Sequence, residues 1–373
     1  MRNYTKRRIL ALLGLMLIAG GCLGYLWSES GQQKSLPSMI PSLPRGGNLF
    51  GANTFTKHTA AKNRTNTVVE DAVIKATTTV ITPQDKPVTI ATKHEDIKTV
   101  LNITNEIRFY DTRIMRNSTS PFLKNKCVSL KIPDSNLTTP ICVYERSTDI
   151  WVSGSLLASG TWEKDIMAKI KKALDKNPRT VFLDIGCNIG VFTLMAAKLG
   201  HKVVSVDPLR KNLFLLSRSI EQGNLTANVT LINNAVGDKV EQITLHEYSN
   251  NVGGTFVKPA SQSGVVDEDH TAMAVTLDHL THLLANQTVV MKMDIESYEW
   301  NALKRGYNFF NNVNVKCIFM EWAFHLKLPV SASGIIGFMK KFSFVPHANN
   351  VQLQFDKNTT WPGDIVWIKT HDR

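Results

Sequence analysis

The sequence predicts an α/β protein built around a doubly wound, mostly parallel sheet. Three observations predict it. Short apolar runs alternate with helical periodicity through 161–373, a turn containing two glycines follows the first of these runs, and an acidic residue ends each of the first two. With 43% apolar and 20% charged residues among 373, the composition is that of a globular protein, which excludes disorder over the full length.

Each predicted element follows from a local pattern. Short apolar runs bounded by turn residues predict strands, and apolar residues on one helical face, such as Ile166, Ile170 and Leu174, predict helices. The predicted strands are Cys127–Ile132, Ile141–Tyr144, Val181–Ile185, Lys202–Val206, Val229–Ile232, Val289–Asp294, Lys316–Met320 and Asp364–Lys369, and the predicted helices are Trp162–Asn177, Ile189–Leu199 and Asn212–Gln222.

The first 98 residues are predicted to lie outside this sheet. Basic residues precede an uncharged apolar run over 9–27, which as a helix spans about 28 Å, close to the hydrocarbon thickness of a bilayer. We expect a cytoplasmic tail over 1–8, a transmembrane signal anchor over 9–27 and a disordered, Ser/Thr/Pro-rich luminal stem over 28–98. Residues 99–160 are expected to form an extension packed on the main domain at 161–373. A cleaved signal peptide is the alternative, since Ala19, Gly20 and Gly21 are small, and acylation of Cys22 is another.

Two features indicate a secretory-pathway membrane, such as the Golgi, with a single-pass type II topology. Cys127 and Cys142 are plausible disulfide partners in an oxidising lumen, with two free buried thiols as the alternative, whereas Cys187 and Cys317 fall in predicted core elements. Asn-x-Ser/Thr triplets, the acceptors of N-glycosylation, are about twice as frequent as chance would give. They begin at Asn63, Asn102, Asn117, Asn136, Asn224, Asn228, Asn286 and Asn358.

The net charge of +12 does not indicate a nucleic-acid-binding protein. Much of the excess lies in the basic N-terminus and the stem, and the rest is spread thinly over the globular part. A dilute excess of this kind does not make a surface that tracks phosphates. We therefore expect no nucleic-acid partner.

The chemistry is concentrated after the strand Val181–Ile185. Asp184, Gly186 and Gly190 have the spacing D-x-G-x-x-x-G, which makes a turn whose backbone can approach a ligand at the N-terminus of the next helix. The turn also contains Cys187 and Asn188, so it differs from the dinucleotide fingerprint and suits a smaller ligand that carries an amino acid and a nucleoside. Asp207 ends the next strand and is well placed to accept hydrogen bonds from ribose hydroxyls. The alternative is a purely structural turn with a helix-capping Asp184.

Four motifs occur in the order seen in FkbM-type methyltransferases, and over about 180–310 the sequence resembles that family. The motifs begin at Asp184, Asn234, Val275 and Lys292, and Val206-Asp207-Pro208 accompanies the first. The resemblance implies the class I methyltransferase fold and S-adenosylmethionine as the cofactor, typically used to methylate hydroxyl groups. It also implies cofactor contacts: the methionine part would lie against Asp184, Gly186, Asn188 and Gly190, the ribose against Asp207, and the adenine near Asp238. The family usually has glycine where this chain has Ser297, which leaves the geometry of the acceptor side open.

The motif Lys292-Met-Asp294-Ile-Glu296 carries the candidate catalytic residues. Alternation along a strand would put Lys292, Asp294 and Glu296 on one face. Asp294 or Glu296 would accept the proton of a hydroxyl group while Lys292 tunes the charge. The alternative is a partly buried ion pair between Lys292 and Asp294 that only closes the sheet.

Other polar motifs are expected to have structural roles. For Glu321 and His325 we expect a capping carboxylate and a solvated imidazole in preference to a paired catalytic site. Residues 251–255 are interpreted as a mobile lid or a plain loop. The acidic triplet Asp267-Glu268-Asp269 is interpreted as a solvated loop, although its D-x-D form is also that of a metal-binding glycosyltransferase motif. We predict no resident metal.

These observations together predict a stem-tethered luminal O-methyltransferase. Its cofactor would be S-adenosylmethionine, its acceptor a glycan or another hydroxyl-bearing molecule, and its membrane contact the N-terminal helix. Two alternatives stay open at this point. One is a Golgi glycosyltransferase that uses a nucleotide sugar, and the other is a non-catalytic luminal binding protein on a methyltransferase scaffold.

Overall fold

The computed structural model describes residues 106–111, 121–258 and 270–370, all within the compact unit Lys86–Arg373. The strands in these residues are β1 (Cys127–Lys131), β2 (Thr138–Cys142), β3 (Val181–Ile185), β4 (Val203–Val206), β5 (Val229–Ile232), β6 (Ala235–Gly237), β7 (Glu241–Tyr248), β8 (Asn251–Lys258), β9 (Thr271–Thr276), β10 (Thr288–Met293), β11 (Asn314–Glu321), β12 (Phe344–Ala348), β13 (Val351–Gln352) and β14 (Asp364–Lys369). The α-helices are α1 (Val152–Ser159), α2 (Lys164–Leu174), α3 (Val191–Lys198), α4 (Arg210–Gln222), α5 (Thr281–Leu284), α6 (Glu299–Leu303), α7 (Tyr307–Asn312) and α8 (Pro329–Lys341).

Eight strands form one mixed sheet in the order β13-β12-β14-β11-β10-β3-β4-β5. The five strands from β11 to β5 are parallel, whereas β14 runs antiparallel to both β11 and β12. Chain order reverses between β3 and β10, and in an open α/β sheet such a reversal opens a crevice at the carboxyl ends of the strands. The doubly wound sheet predicted from the sequence is therefore present, and the site is expected at this crevice.

The core lies on both faces of the sheet. Successive strand residues point to opposite faces, so Phe182 joins one hydrophobic cluster and Leu183 joins the other. All five residues of β3 are buried, as expected for a strand covered on both sides. In α2, the buried residues Met167, Ile170 and Leu174 face the first cluster. Burial at this spacing explains why periodicity alone located the helix.

The predicted elements of the main sheet agree with the structure to within a few residues at their ends. Three strands, β3, β5 and β14, have the predicted bounds. In the extension, β2 begins three residues before the predicted strand Ile141–Tyr144 and contains Pro140. Since β1 and β2 form a sheet of only two strands, each is an edge strand, where a residue without an N–H group is tolerated.

A second sheet, in the order β6-β9-β7-β8, was not predicted. It includes residues 251–255, which form the first part of β8, so the expectation of a plain loop there is wrong. Strand β8 pairs with β7 through Asn251 and through Phe256–Lys258. Residues 250–254 include two glycines and two asparagines, residue types that are depleted in strands, so the sequence pattern there does not indicate a strand. The hairpin was therefore missed because its stability comes from pairing and packing.

Several expectations fall outside the described residues. These are the anchor at 9–27, the stem at 28–98, the acidic triplet at 267–269, and the sequons at Asn63, Asn102 and Asn117. Among the helices of the described part, none has both the length and the apolar character needed to cross a membrane.

Candidate active site

A cleft opens at the carboxyl ends of β3, β4 and β10, at the point where chain order reverses. It encloses roughly 600 Å³ of space, part of it open to solvent. The β7–β8 hairpin supplies another wall through Leu245, Val252, Gly253 and Thr255. The main sheet and the hairpin thus form the cleft together. The other residues that line it are Ile185, Gly186, Asn188, Val206, Asp207, Pro208, Leu209, Asn212, Asn234, Ala235, Val236, Val257, Asp294, Ile295, Glu296 and Tyr298.

The turn between β3 and α3 brings backbone to the floor of this cleft. Gly186 has a φ of +80° and donates its N–H to the carbonyl oxygen of Val206 at 2.9 Å. A Cβ atom at this position would collide with the carbonyl oxygen of Asp294, so only glycine fits between β3 and the loop after β10. The glycine predicted from the motif is required by this close approach.

Asp184 lies beneath the cleft, fully buried. Its Oδ2 accepts a hydrogen bond from the Thr193 hydroxyl at 2.6 Å, and Oδ1 has no hydrogen-bond partner among the described residues. Burial raises the pKa of Asp184, while the charge of Lys292 and the hydrogen bond from Thr193 act in the opposite direction. Its carboxylate therefore ties β3 to α3, and it does not line the cleft.

Asp207 is the acidic residue of the cleft wall after β4. Its Oδ2 accepts the N–H of Asn188 at 2.8 Å, and its Oδ1 accepts the N–H of Leu209 at 2.9 Å and the amide of Asn212 at 3.2 Å. Burial raises the pKa of Asp207 to about 6, although these hydrogen bonds favour the ionised form. An ionised carboxylate can accept about four hydrogen bonds, so acceptor capacity is left for a ligand.

Lys292 and Asp294 form the charged centre of the site. The Lys292 ammonium lies 2.8 Å from Asp294 Oδ2 and 4.7 Å from the ring centroid of Phe192. Burial acts to lower the pKa of Lys292, but the charges of Asp294, Glu163 and Asp184 outweigh it, and the net pKa lies above its usual range. Lys292 thus stays charged beside Asp294.

A second, smaller cleft meets the first at Asp294, which alone among the described residues lines both. Carboxylate oxygens of Asp294, Glu296 and Glu321 all lie within 4.8 Å of one another, a spacing that a cation could bridge. Asp294 is thus the group that connects the two clefts. The second cleft is lined by Ile166, Lys169, Lys292, Met293, Asp294, Phe319, Met320, Glu321, His347, Ala348, Asp364, Ile365 and Val366.

The structure separates the predicted site residues into those that line the first cleft and those that do not. Gly186, Asn188, Asp207, Asp294 and Glu296 line it, and Lys292 lines the second cleft. Strand β10 ends at Met293, so strand alternation does not extend to Glu296, which lies in the following loop with a φ of +53°.

The remaining predicted cofactor residues have other contacts. Gly190 lies against Leu216 of α4, where a Cβ atom would collide with the leucine side chain. Asp238 pairs with Lys304 at 2.7 Å and is not among the residues that line the cleft. The role of Asp238 on the adenine side therefore stays a prediction.

His325 differs from its expected state. Its side chain is buried, and its Nε2 lies 2.8 Å from Glu299 Oε2, so the expectation of a solvated imidazole is wrong. The partner is Glu299 of α6, and sequence alone could not identify it because the two residues are brought together only by packing.

Sequence reasoning also missed several cleft residues. Tyr298 and the apolar residues of β8 were not predicted to line it. For Tyr298 the available signal was its position, two residues after the predicted catalytic motif. Asn234 was noted as part of a motif without a role. It is buried, its side-chain amide donates to the carbonyls of Glu106 and Met273, and its Oδ1 accepts the N–H of Arg108.

Comparison with known proteins identifies the domain that carries this site. Residues 184–346 match the model of the methyltransferase FkbM domain. The resemblance predicted from the motifs is confirmed, and this part of the chain is an FkbM-type methyltransferase domain whose cofactor is S-adenosylmethionine. No curated protein matches the chain.

Solved structures with a similar arrangement are distant in sequence. A methyltransferase FkbM from Methylobacillus flagellatus is 16% identical, with a TM-score of 0.35 over 51% of this chain and 44% of its own. An S-adenosylmethionine-dependent O-methyltransferase from Thermotoga maritima is 12% identical, with a TM-score of 0.31 over 59% and 71%. A precorrin-6y C5,15-methyltransferase from Geobacter metallireducens is 10% identical, with a TM-score of 0.31 over 56% and 89%. The fold assignment of this chain follows from its own strand order.

The residues of the first cleft fit S-adenosylmethionine. Gly186 has no side chain, so backbone is exposed at the floor of the cleft, and Asp207 retains acceptor capacity that suits a ribose hydroxyl. Val236 and Leu245 supply apolar surface that suits a flat base. The cleft thus combines the polar and apolar groups that the cofactor requires.

Proposed function

We propose that this chain, which contains an FkbM-type methyltransferase domain at 184–346, is an O-methyltransferase that acts on a glycan hydroxyl in the secretory pathway. S-adenosylmethionine supplies a methyl group on an activated sulfonium, so the chain's own residues need mainly to align an oxygen atom and accept its proton. The observation that carries the proposal is the position of Asp294 between the two clefts.

The contacts of Asp294 support a role in proton transfer. One carboxylate oxygen is held by Lys292 at 2.8 Å, which fixes the orientation of the group. The side chain is only 22% exposed, so an acceptor hydroxyl beside it would be largely shielded from water. We propose that Asp294 accepts the hydroxyl proton, that Lys292 positions it, and that the second cleft holds the acceptor.

The proposed compartment is supported by the Cys127–Cys142 disulfide between β1 and β2. Disulfides persist in oxidising compartments and are rare in the cytosol. The apolar run at 9–27 and the sequons are consistent with the same location, and Asn136, Asn224 and Asn286 are exposed. Proteins there carry glycans, whose hydroxyl groups are therefore the acceptors that we propose.

The test is transfer of a labelled methyl group from S-adenosylmethionine by the full-length chain. We expect label on a glycoprotein acceptor and loss of labelling after enzymatic deglycosylation of that acceptor. The label should also survive mild alkali, because a methyl ether is stable where a carboxyl methyl ester is hydrolysed. Equal labelling of the deglycosylated acceptor would contradict the glycan assignment, and alkali-labile label would contradict hydroxyl methylation.

Asp294→Asn tests the assigned role. Because general base catalysis contributes about 10²–10⁴-fold, transfer should fall by at least about 100-fold while the cofactor still binds. Asp356→Asn, at an exposed carboxylate that lines neither cleft, is the matched control and should transfer normally. If the Asp294 variant retains full transfer, Asp294 is not the base.

A nucleotide-sugar panel examines the glycosyltransferase alternative. The D-x-D triplet at 267–269, on which that alternative depends, lies outside the described residues, so no structural observation favours it. Binding of a nucleotide sugar with a divalent metal, together with no binding of S-adenosylmethionine, would replace the methyltransferase proposal.

A further inference from the structure

The loop between β10 and α6 is strained. Glu296 has a φ of +53° and Ser297 a φ of +77°, so two consecutive residues that are not glycine adopt the left-handed conformation. Residues in this region persist only where the surrounding structure determines them. Yet Asp294, Ile295 and Glu296 of this loop line the cofactor cleft. Something outside the loop must hold it in place.

Glu299 binds the backbone of this loop from its buried side. Its side chain is 1% exposed, and both carboxylate oxygens have partners. Oε1 accepts the backbone N–H of Ile295 at 3.0 Å, and Oε2 lies 2.8 Å from His325 Nε2. The N–H group that it binds lies directly between the catalytic candidate Asp294 and the strained residues.

His325 connects this carboxylate to another part of the fold. It lies in the short 3-10 turn His325–Lys327 after β11, and its side chain is fully buried. Its Nδ1 lies 3.1 Å from the Ser331 hydroxyl in the first turn of α8, and its ring packs 5.1 Å from the ring of Trp322. Both ring nitrogens are thus used, which fixes the orientation of the imidazole.

The order Ser331, His325, Glu299 resembles a nucleophile triad, but its location excludes contact with the reacting atoms. None of the three residues lines the cofactor cleft or the second cleft. Their contact with the site runs through the backbone of Ile295. The arrangement is therefore suited to positioning.

We propose that His325 and Glu299 are positioning residues that hold the strained 294–298 loop in the conformation that lines the cofactor cleft. The inference rests on the proposed function only for the role of Asp294. The assignment of S-adenosylmethionine as the cofactor follows from the family. The loop geometry depends neither on that assignment nor on the proposed function. This positioning role requires a buried hydrogen-bond donor that faces Glu299 Oε2 and a buried acceptor that faces the backbone N–H of Ile295.

The first measurement is calorimetric binding of S-adenosylhomocysteine, the stable demethylated form of the cofactor, to the full-length chain. His325→Leu, which offers no donor to Glu299 Oε2, and Glu299→Ala should each weaken binding by about tenfold or more, because each removes a buried hydrogen bond that fixes the loop. Phe344→Leu, a core change on β12, is the control for general destabilisation. It should lower the melting temperature without a matching loss of affinity.

A second-site change distinguishes positioning from packing. Ser297→Gly removes the cost of the left-handed conformation, so the loop should need less external restraint. In the His325→Leu background it should restore S-adenosylhomocysteine affinity to within about threefold of the wild type. If Ser297→Gly restores nothing, or if His325→Leu binds as the wild type does, the positioning role is overturned.

Hydrogen–deuterium exchange of the peptide containing Ile295 gives a readout without any ligand. Exchange should accelerate about tenfold in His325→Leu and Glu299→Ala but not in Phe344→Leu. Unchanged exchange in the first two variants overturns the proposal even if the wild type were found not to bind the cofactor. Failure of methyl transfer to a glycan, with normal loop protection, would instead count against the proposed function alone.

Discussion

Asp207 shows how one side chain can organise a site and still be available to a ligand. Three hydrogen bonds hold it between the β3–α3 turn and the start of α4. Its neighbour Asp184 is also buried, but it is directed toward Thr193 beneath the cleft. Two strand-ending acids of similar sequence context therefore have different surroundings, and only Asp207 is placed to meet the cofactor.

Cofactor affinity should depend on the ionisation of Asp207. Since burial raises its pKa to about 6, the carboxylate is ionised above this pH and becomes protonated below it. With three hydrogen bonds already accepted, the ionised carboxylate has capacity left for a ribose hydroxyl, and protonation removes that capacity. Affinity should therefore be constant above pH ~7 and fall about tenfold per pH unit below pH ~6. Calorimetric titration with S-adenosylhomocysteine between pH ~5 and ~8 measures this.

Asp207→Asn is the control for that profile. It should bind more weakly at neutral pH and show no dependence through the same range, since the amide does not titrate. A wild-type affinity that stays level down to pH ~5 would mean that the bound ligand does not rely on the charge of Asp207.

At the scale of elements, the cofactor site depends on two connections that nearly touch. The β3–α3 turn and the β10–α6 loop meet at Gly186 and Asp294, where no Cβ atom fits. The hairpin β7–β8 approaches the same turn, and a Cβ atom at Gly253 would lie 2.9 Å from the Asn188 amide. The cleft is thus formed by close approaches of backbone from separate elements.

Gly186→Ala should abolish cofactor binding. The added methyl group would push the β3–α3 turn away from Asp294 and also strain a backbone with φ of +80°. Gly200→Ala is a matched control because Gly200 has a φ of +94° and no atom within 4 Å of its Cβ position. Both variants should lose about 1 kcal/mol from backbone strain, but only Gly186→Ala should lose S-adenosylhomocysteine binding in calorimetry. Equal binding by the two variants would contradict the role of the close approach.

The disulfide between β1 and β2 should contribute measurably to stability. Cys127 and Cys142 are 15 residues apart, and closing a loop of this length stabilises a fold by about 3 kcal/mol in the chain-entropy description. The Cys127→Ser/Cys142→Ser variant should lose about that much free energy of unfolding in urea denaturation. A reductant should destabilise the wild type but not this variant, because Cys187 and Cys317 are already free and buried. No effect of reduction on the wild type would argue against a bridge in the folded protein.

At the scale of the whole molecule, the prediction concerns topology. The apolar run at 9–27 after a basic cluster is expected to anchor the chain with its methyltransferase domain in the lumen. When the full chain is synthesised with microsomal membranes, the domain should resist added protease, and glycosidase treatment should lower its apparent mass. Asn136→Gln, at an exposed sequon in the β1–β2 connection, should remove one glycan. Complete digestion without detergent would contradict a luminal domain.

The sequence by itself determined the alternation of strands and helices, the order of the motifs and the placement of Gly186, Asn188 and Asp207 at one end of the sheet. These features are local, since burial on both faces of β3 requires a continuous apolar run and a close backbone approach requires glycine.

Only the tertiary structure decided the rest. The pairing of Glu299 with His325, the contribution of the β7–β8 hairpin to the cleft and the position of Asp294 between two clefts join residues far apart in the chain. Gly190 and Asp238 also show this, because the sequence motif was as expected but the structure places Gly190 against Leu216 and pairs Asp238 with Lys304, and neither residue lines the cleft. Periodicity and motif spacing report what a residue requires locally, whereas the partner that packing brings to it depends on the whole fold.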